Sequence, residues 1–187
     1  MKHIFFIAET KGSMDSMELR GVEKAKIGLS TGGRYFGCMR YEFEYKRYSS
    51  LGELGASDRE LVDVAFGVTR SAHAPYSGFR VAAVARLESG RIISATNQES
   101  EVYPSGMCAE RVLLYGWQTA QSSDPIETLV IASDPSEREC TPCGACRQVM
   151  LDSERRQGRP MRVLMCGGGT VTEVASAELL LPFSFRL

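Results

Sequence analysis

Three cysteines in two short segments constrain this chain more than any other feature. Cys108-Ala109-Glu110-Arg111 is followed 35 residues later by Pro142-Cys143-Gly144-Ala145-Cys146-Arg147. Each segment sits where a helix is expected to start. Cys143 and Cys146 stand at i, i+3, so one helical turn puts both sulfurs on one face. Pro142 precedes that turn, where its missing N–H costs little. Helix N-termini carry partial positive charge and free N–H donors, which favour thiolate over thiol. Two such termini brought together would hold three thiolates around one Zn²⁺ and leave a fourth position open. Three protein ligands plus water is a catalytic arrangement. Glu110, two residues from Cys108, is a candidate proton carrier for such a site. Three thiolates and Zn²⁺ sum to a charge of −1, which Arg111 and Arg147 are spaced to offset. The competing reading is a closed Cys₄ site that adds Cys140, since Cys140-Thr141-Pro142-Cys143 is a second C-x-x-C.

With 187 residues, 43% apolar and 24% charged, the chain has room for one domain with a genuine core. A formal net charge of −1 supplies no global field for a nucleic-acid backbone. Arg155, Arg156, Arg159 and Arg162 cluster locally and read as the solvated, dipole-complementing end of a helix. No apolar run reaches the roughly 18–20 residues of a membrane span. The opening MKHIFFIA is short for a signal peptide, so a cytoplasmic protein is expected. In that compartment closely spaced cysteines read as metal-binding or catalytic; Cys38 and Cys166 read as ordinary reduced thiols.

Residues 1–38 show no sustained period and read as a weakly ordered extension, with a domain over 39–187 and Met39 a candidate start of translation. Arg40 to Lys46 alternates, with Tyr41, Phe43 and Tyr45 on one face of an expected strand. Ser57 and Glu60 read as a capping box ahead of an amphipathic helix carrying Leu61, Val64, Ala65 and Val68. Strands are expected at Phe79–Leu87 and Ile92–Thr96, joined as a hairpin at Ser89-Gly90. A helix over about Cys108–Thr119, a strand over Thr128–Ala132 and a helix over about Cys143–Ser153 follow. Strands over Arg162–Cys166 and Thr170–Val174 turn at Gly167, Gly168 and Gly169, and a short helix closes at Ala177–Leu180. This order implies a mixed sheet covered by helices.

The cysteine segments, together with Ala74-Pro75-Tyr76-Ser77, Phe79, Asn97 with Glu99, Tyr103-Pro104, and Leu180-Leu181-Pro182 with Phe185, resemble the cytidine deaminase family of small homotetrameric type. The similarity runs from about Ser57 to the C-terminus. It implies a three-layer α/β/α domain with a mixed five-stranded sheet and hydrolytic deamination of cytidine or deoxycytidine in pyrimidine salvage. By position, Cys108, Cys143 and Cys146 would bind zinc, with Glu110 as proton shuttle to the ring and the leaving amine. Asn97 and Glu99 would hold the ribose hydroxyls, Phe79 and Ala109 would contact the substrate, and Phe185 would close a neighbour's pocket. Tyr76 would lie at a subunit boundary, and Arg111 would donate to the thiolates.

Departures from that pattern bear on substrate preference. Ala82 and Ala95 stand where the family has Gly, and Ser100, Glu101 and Val102 stand where it has Asn and small residues. A deaminase of another amino-heterocycle, such as a blasticidin-type antibiotic, is the nearest rival; a polynucleotide deaminase and a non-catalytic zinc module are the others. The Gly167-Gly168-Gly169-Thr170 run lacks the Lys and following helix of a phosphate loop and reads as a turn. His73 reads as a helix-exit residue, and with only His3 beside it a Ser-His-Asp hydrolase is poorly supported.

Overall fold

A computed structural model describes residues 22–26, 41–120 and 123–186. The expectation for residues 1–38 therefore lies outside the described residues, except for the strand β1, Val22–Lys26. The other strands are β2 Glu42–Tyr48, β3 Arg80–Leu87, β4 Ile92–Thr96, β5 Ile126–Asp134, β6 Arg162–Gly167 and β7 Thr170–Val174. The helices are α1 Ala56–Val68, α2 Ala109–Ala120 and α3 Gly144–Gln157, with a 3₁₀ turn at Ala177–Leu180.

The sheet has seven strands in the order β1-β2-β7-β6-β5-β3-β4, not five. The five expected strands, β3 to β7, form one contiguous block, and β2 and β1 extend it by antiparallel pairing on the β7 edge. An unpaired edge is a ready template for further strands, which is why the alternating Phe43 and Tyr45 segment finds its place there. β5 and β6 make the parallel pair, with α3 as the crossover between them.

Helices cover both faces. On one, Leu61, Val62 and Ala65 of α1 pack against Val84, Val130, Leu164 and Val171. On the other, Leu113, Leu114 and Trp117 of α2 and Met150 of α3 pack against Ala83, Leu129, Ile131 and Val163. Strands buried on both faces read as near-continuous apolar runs, as β5 does.

Local signals fared unevenly. Gly168 and Gly169 take φ of +61° and +80°, the two positive values a two-residue hairpin turn between β6 and β7 requires. Gly90, at φ +85°, closes the β3–β4 hairpin through its N–H to Leu87 O at 2.9 Å. The capping box does not form: α1 starts two residues earlier, and its N-cap is Gly55. Asp58 then occupies the first turn, where its carboxylate meets Arg162 at 2.9 Å. A tertiary ion pair thus occupies the first turn of the helix. Arg162 is accordingly not a solvated helix-end residue: it also lies 3.5 Å from buried Glu173. Arg155 and Arg156 do occupy the last turn of α3.

Register brings the chemistry to one edge. Ala82 of β3 opposes Thr96 of β4, and Arg80 opposes Asp134 of β5. The start of β3 and the ends of β4 and β5 therefore lie together, and the parallel β6 ends beside them at Gly167. Phe79, Asn97, Glu99 and the approach to Cys143 all leave the sheet at this edge. Ligand crevices of open α/β sheets form at such strand ends.

Candidate active site

Cys108 caps the start of α2, its carbonyl accepting the Arg111 and Val112 N–H groups at 3.1 Å each. Cys143 caps α3, and its sulfur accepts the Cys146 N–H at 3.5 Å. The loop before α3 is pinned to the β6–β7 hairpin: Cys140 N–H donates to Cys166 O at 3.0 Å, and Gly168 N–H to Ser136 O at 2.9 Å. Two helix N-termini consequently converge on one point.

There the sulfurs of Cys108, Cys143 and Cys146 all lie within 4.8 Å of one another. Cys108 and Cys143 are 4.0 Å apart, Cys143 and Cys146 3.4 Å. Zinc–sulfur bonds of about 2.3 Å in a tetrahedron separate ligand sulfurs by about 3.8 Å, so the cluster has the size a zinc ion needs. Among the described residues this is the one such group, and Cys140 is not part of it. A Cys₄ site is therefore not assembled, and three sulfurs leave a coordination position open.

Arg111 Nη2 donates to Cys108 Sγ at 3.8 Å. A hydrogen bond from Cys146 and the Arg111 cation hold the Cys108 thiol down at about 5. Cys146 is pushed up by that same bond and by burial. Arg147 acts elsewhere than expected: its Nε donates to Pro142 O at 2.8 Å and its Nη1 to Leu180 O at 3.3 Å. It ties the cysteine turn to the C-terminal segment.

Glu110 is 4% exposed, in the first turn of α2. Burial raises its carboxyl above the usual range, and the charge of Cys108 adds to this, while its own backbone N–H and Arg111 oppose it. A buried carboxyl poised to take up a proton beside a metal-sized sulfur cluster has the form of a general acid/base.

Tyr76, Ser77, Asn97, Glu99, Cys108 and Arg111 line a hollow of about 290 Å³. Asn97 also serves the backbone: its Oδ1 accepts the Val81 N–H at 2.7 Å and its Nδ2 donates to Phe79 O at 2.9 Å. One N–H and one lone pair remain for a ligand. Glu99 accepts from Tyr76 N–H and from Ser77, contacts that hold its carboxyl below the usual range, with the Ser77 hydroxyl contributing most. His73 clamps the strip between them, accepting the Glu99 N–H at 2.9 Å and donating to Asn97 O at 3.2 Å. Ser77 was legible only as part of a motif; a Ser two residues before Phe79 is the local signal for the hydroxyl-to-backbone turn it makes.

Other expected residues stand apart. Phe79 lines a separate hollow of about 710 Å³ with Ser133, Arg138, Cys140 and Thr141. Ala109 is fully buried in the core. Phe185 is 68% exposed and lines neither hollow.

A mixed sheet clad on both faces, with three clustered cysteine sulfurs and a buried carboxyl where two helices begin, is the architecture of a metal-binding α/β protein. Residues 56–158 match the model of the cytidine and deoxycytidylate deaminase zinc-binding region, and the chain belongs to that family. It is 38% identical over 89 residues to a probable cytidine deaminase of Dictyostelium discoideum, across 48% of this chain and 60% of that relative. It is 35% identical over 96 residues to the cytidine deaminase of Halalkalibacterium halodurans, across 51% of this chain and 71% of the relative. The crystal structure of cytidine deaminase from Burkholderia pseudomallei superposes with a TM-score of 0.59 at 32% identity, across 67% of this chain and 97% of that one. The chain spans about 60% of the length of the first of these relatives. The sulfur cluster and the matched region together fit Zn²⁺ as the cofactor.

Proposed function

We propose that this chain hydrolytically deaminates free cytidine and deoxycytidine, giving uridine or deoxyuridine and ammonia in pyrimidine salvage. The observation that carries the reading is buried Glu110 with its raised carboxyl beside three, not four, clustered sulfurs. Cys108, Cys143 and Cys146 would hold the zinc. When bound, zinc supplies a Lewis acid that brings the pKa of water to about 7. Glu110 accepts the proton of the attacking water and delivers it to N3 of the pyrimidine, then takes the proton of the new C4 hydroxyl and gives it to the amine, which leaves as ammonia. Arg111 offsets the net charge of the thiolates.

Asn97 and Glu99 meet the sugar. Three of the roughly four acceptor positions of an ionised carboxylate are already taken at Glu99, which leaves room for one hydroxyl. A single 3′-hydroxyl satisfies it, so the 2′-hydroxyl is dispensable and both nucleosides are substrates. The resemblance assigns the pyrimidine contacts to Phe79, which opens on the separate hollow, and to Ala109, which lies buried among core side chains. Exposed Phe185 reaches a neighbouring copy in a homotetramer, with exposed Tyr76 at the boundary. The catalytic unit comprises residues 39–187, and the enzyme is cytoplasmic, consistent with the lack of any helix, among the described residues, long and apolar enough to cross a membrane.

The deciding experiment is ammonia release from cytidine by the zinc-loaded protein beside Glu110→Ala. Turnover in the parent and a loss of at least about 10²-fold in the variant, with zinc retained, is the expected result. A zinc-loaded parent that spares cytidine and deaminates another amino-heterocycle overturns the nucleoside assignment. Sedimentation at micromolar concentration tests the tetramer.

A further inference from the structure

The turn between Ala74 and Phe79 wraps the Glu99 carboxylate. Tyr76 N–H donates to Glu99 Oε2 at 2.8 Å and Ser77 N–H to the same oxygen at 3.3 Å. The Ser77 hydroxyl donates to Oε1 from 22 residues away in sequence. That hydroxyl oxygen also accepts the Phe79 N–H at 2.9 Å. Gly78, at φ +67°, permits the tight return that brings the Phe79 amide back onto Ser77.

One side chain thus bonds to two segments at once. Phe79 is gripped at its N–H by Ser77 and at its carbonyl by Asn97. Glu99, reached by Ser77 at both oxygens, loses the rotamer freedom that an exposed glutamate would otherwise surrender on binding a ligand. Its remaining acceptor position is on Oε1, the oxygen that Ser77 orients.

Resting on the ribose assignment above, we infer that Ser77 is the positioning residue of the sugar subsite. Its hydroxyl sets Glu99 so that the free lone pair meets one sugar hydroxyl, and couples that setting to the backbone of Phe79. Ser77 contacts neither base nor metal in this scheme; it acts through Glu99 and Phe79.

Ser77→Ala removes both bonds and Ser77→Thr keeps the hydroxyl. With the zinc-loaded enzyme, the Ala variant is expected to raise KM for cytidine about tenfold and change kcat less than about twofold. The KM for 3′-deoxycytidine should be the same in parent and Ala variant, since the bond to be oriented is absent, and Thr should restore the parent values. Carbon-13 titration of Glu99 gives a readout independent of turnover: its carboxyl should move up towards the ordinary range in Ser77→Ala. Equal KM increases for cytidine and 3′-deoxycytidine would mean a merely structural role and overturn the inference. So would a turning-over parent whose kinetics and Glu99 titration are untouched by Ser77→Ala. A parent that neither binds nor deaminates cytidine overturns the deaminase reading itself, and the sugar subsite with it.

Discussion

Gly167 lies against the carbonyl of Arg138 so closely that a Cβ there would stand 1.9 Å from the oxygen. This contact seats the loop that leads from β5 to the Cys143 turn on the end of β6. Backbone, not a flexible side chain, occupies the space, so relief requires moving the loop.

Gly167→Ala is therefore expected to cost about 3 kcal/mol by overpacking. In a chain of this size that lowers Tm on the order of 10 °C. Because the displaced loop carries Cys143, bound zinc should fall as well. Thermal melting and zinc content of the purified variant check both; an unchanged Tm would show that the loop is free to move aside.

Arg162 joins Asp58 of α1 to buried Glu173 of β7, which also accepts from Lys46 at 3.1 Å and from Tyr48 at 2.9 Å. Replacing Arg162 by Met leaves two carboxylates without their shared cation. The expected loss is about 3 kcal/mol in urea unfolding, with activity per folded molecule retained. A variant as stable as the parent would make the network a bystander.

Tyr48 supplies the pH dependence of the same junction. Burial first, then the bond to Glu173, pushes its phenol up from 10.0 to about 12. The folded state binds that proton more tightly than the unfolded state, so the contribution is full below pH about 10 and is lost as pH rises through about 12. Tyr48→Phe should start about 1 kcal/mol less stable at neutral pH and show a shallower alkaline decline. Denaturation midpoints between pH 8 and 12 test the slope.

Thiol reactivity separates the cysteines. In zinc-stripped protein at pH 7, Cys108, held at about 5, should be alkylated rapidly. Burial keeps Cys140 at about 11 and Cys166 at about 12, so both should react slowly. Adding zinc should protect Cys108, Cys143 and Cys146 alone. Peptide mapping after iodoacetamide gives the answer; protection that extended to Cys140 would restore a four-sulfur site.

Much of this was legible along the chain. The i, i+3 spacing of Cys143 and Cys146 behind Pro142, the alternation of Phe43 and Tyr45, and the paired glycines at 168 and 169 are local signals, governed by helical pitch, strand pleat and positive φ. They survive because they need no partner from elsewhere. The three-sulfur count was less secure, since Cys140 shares the same spacing rule; the fold places its amide on Cys166 O and leaves its sulfur outside the cluster.

Local sequence was thus enough for the candidate donors, the elements that carry them and the resemblance to a family. Tertiary structure decided what depends on residues distant in the chain. The helix begins before Ser57, and Asp58 in its first turn pairs with Arg162, 104 residues away. The extra edge strand expected from Arg40 onward took its place on β7, and β1 then paired on its far side. Ser77 closing on Glu99 turned two turn-like residues into one preset acceptor. Each of these is a non-local contact whose strength comes from burial and from a partner that no window of neighbouring residues contains.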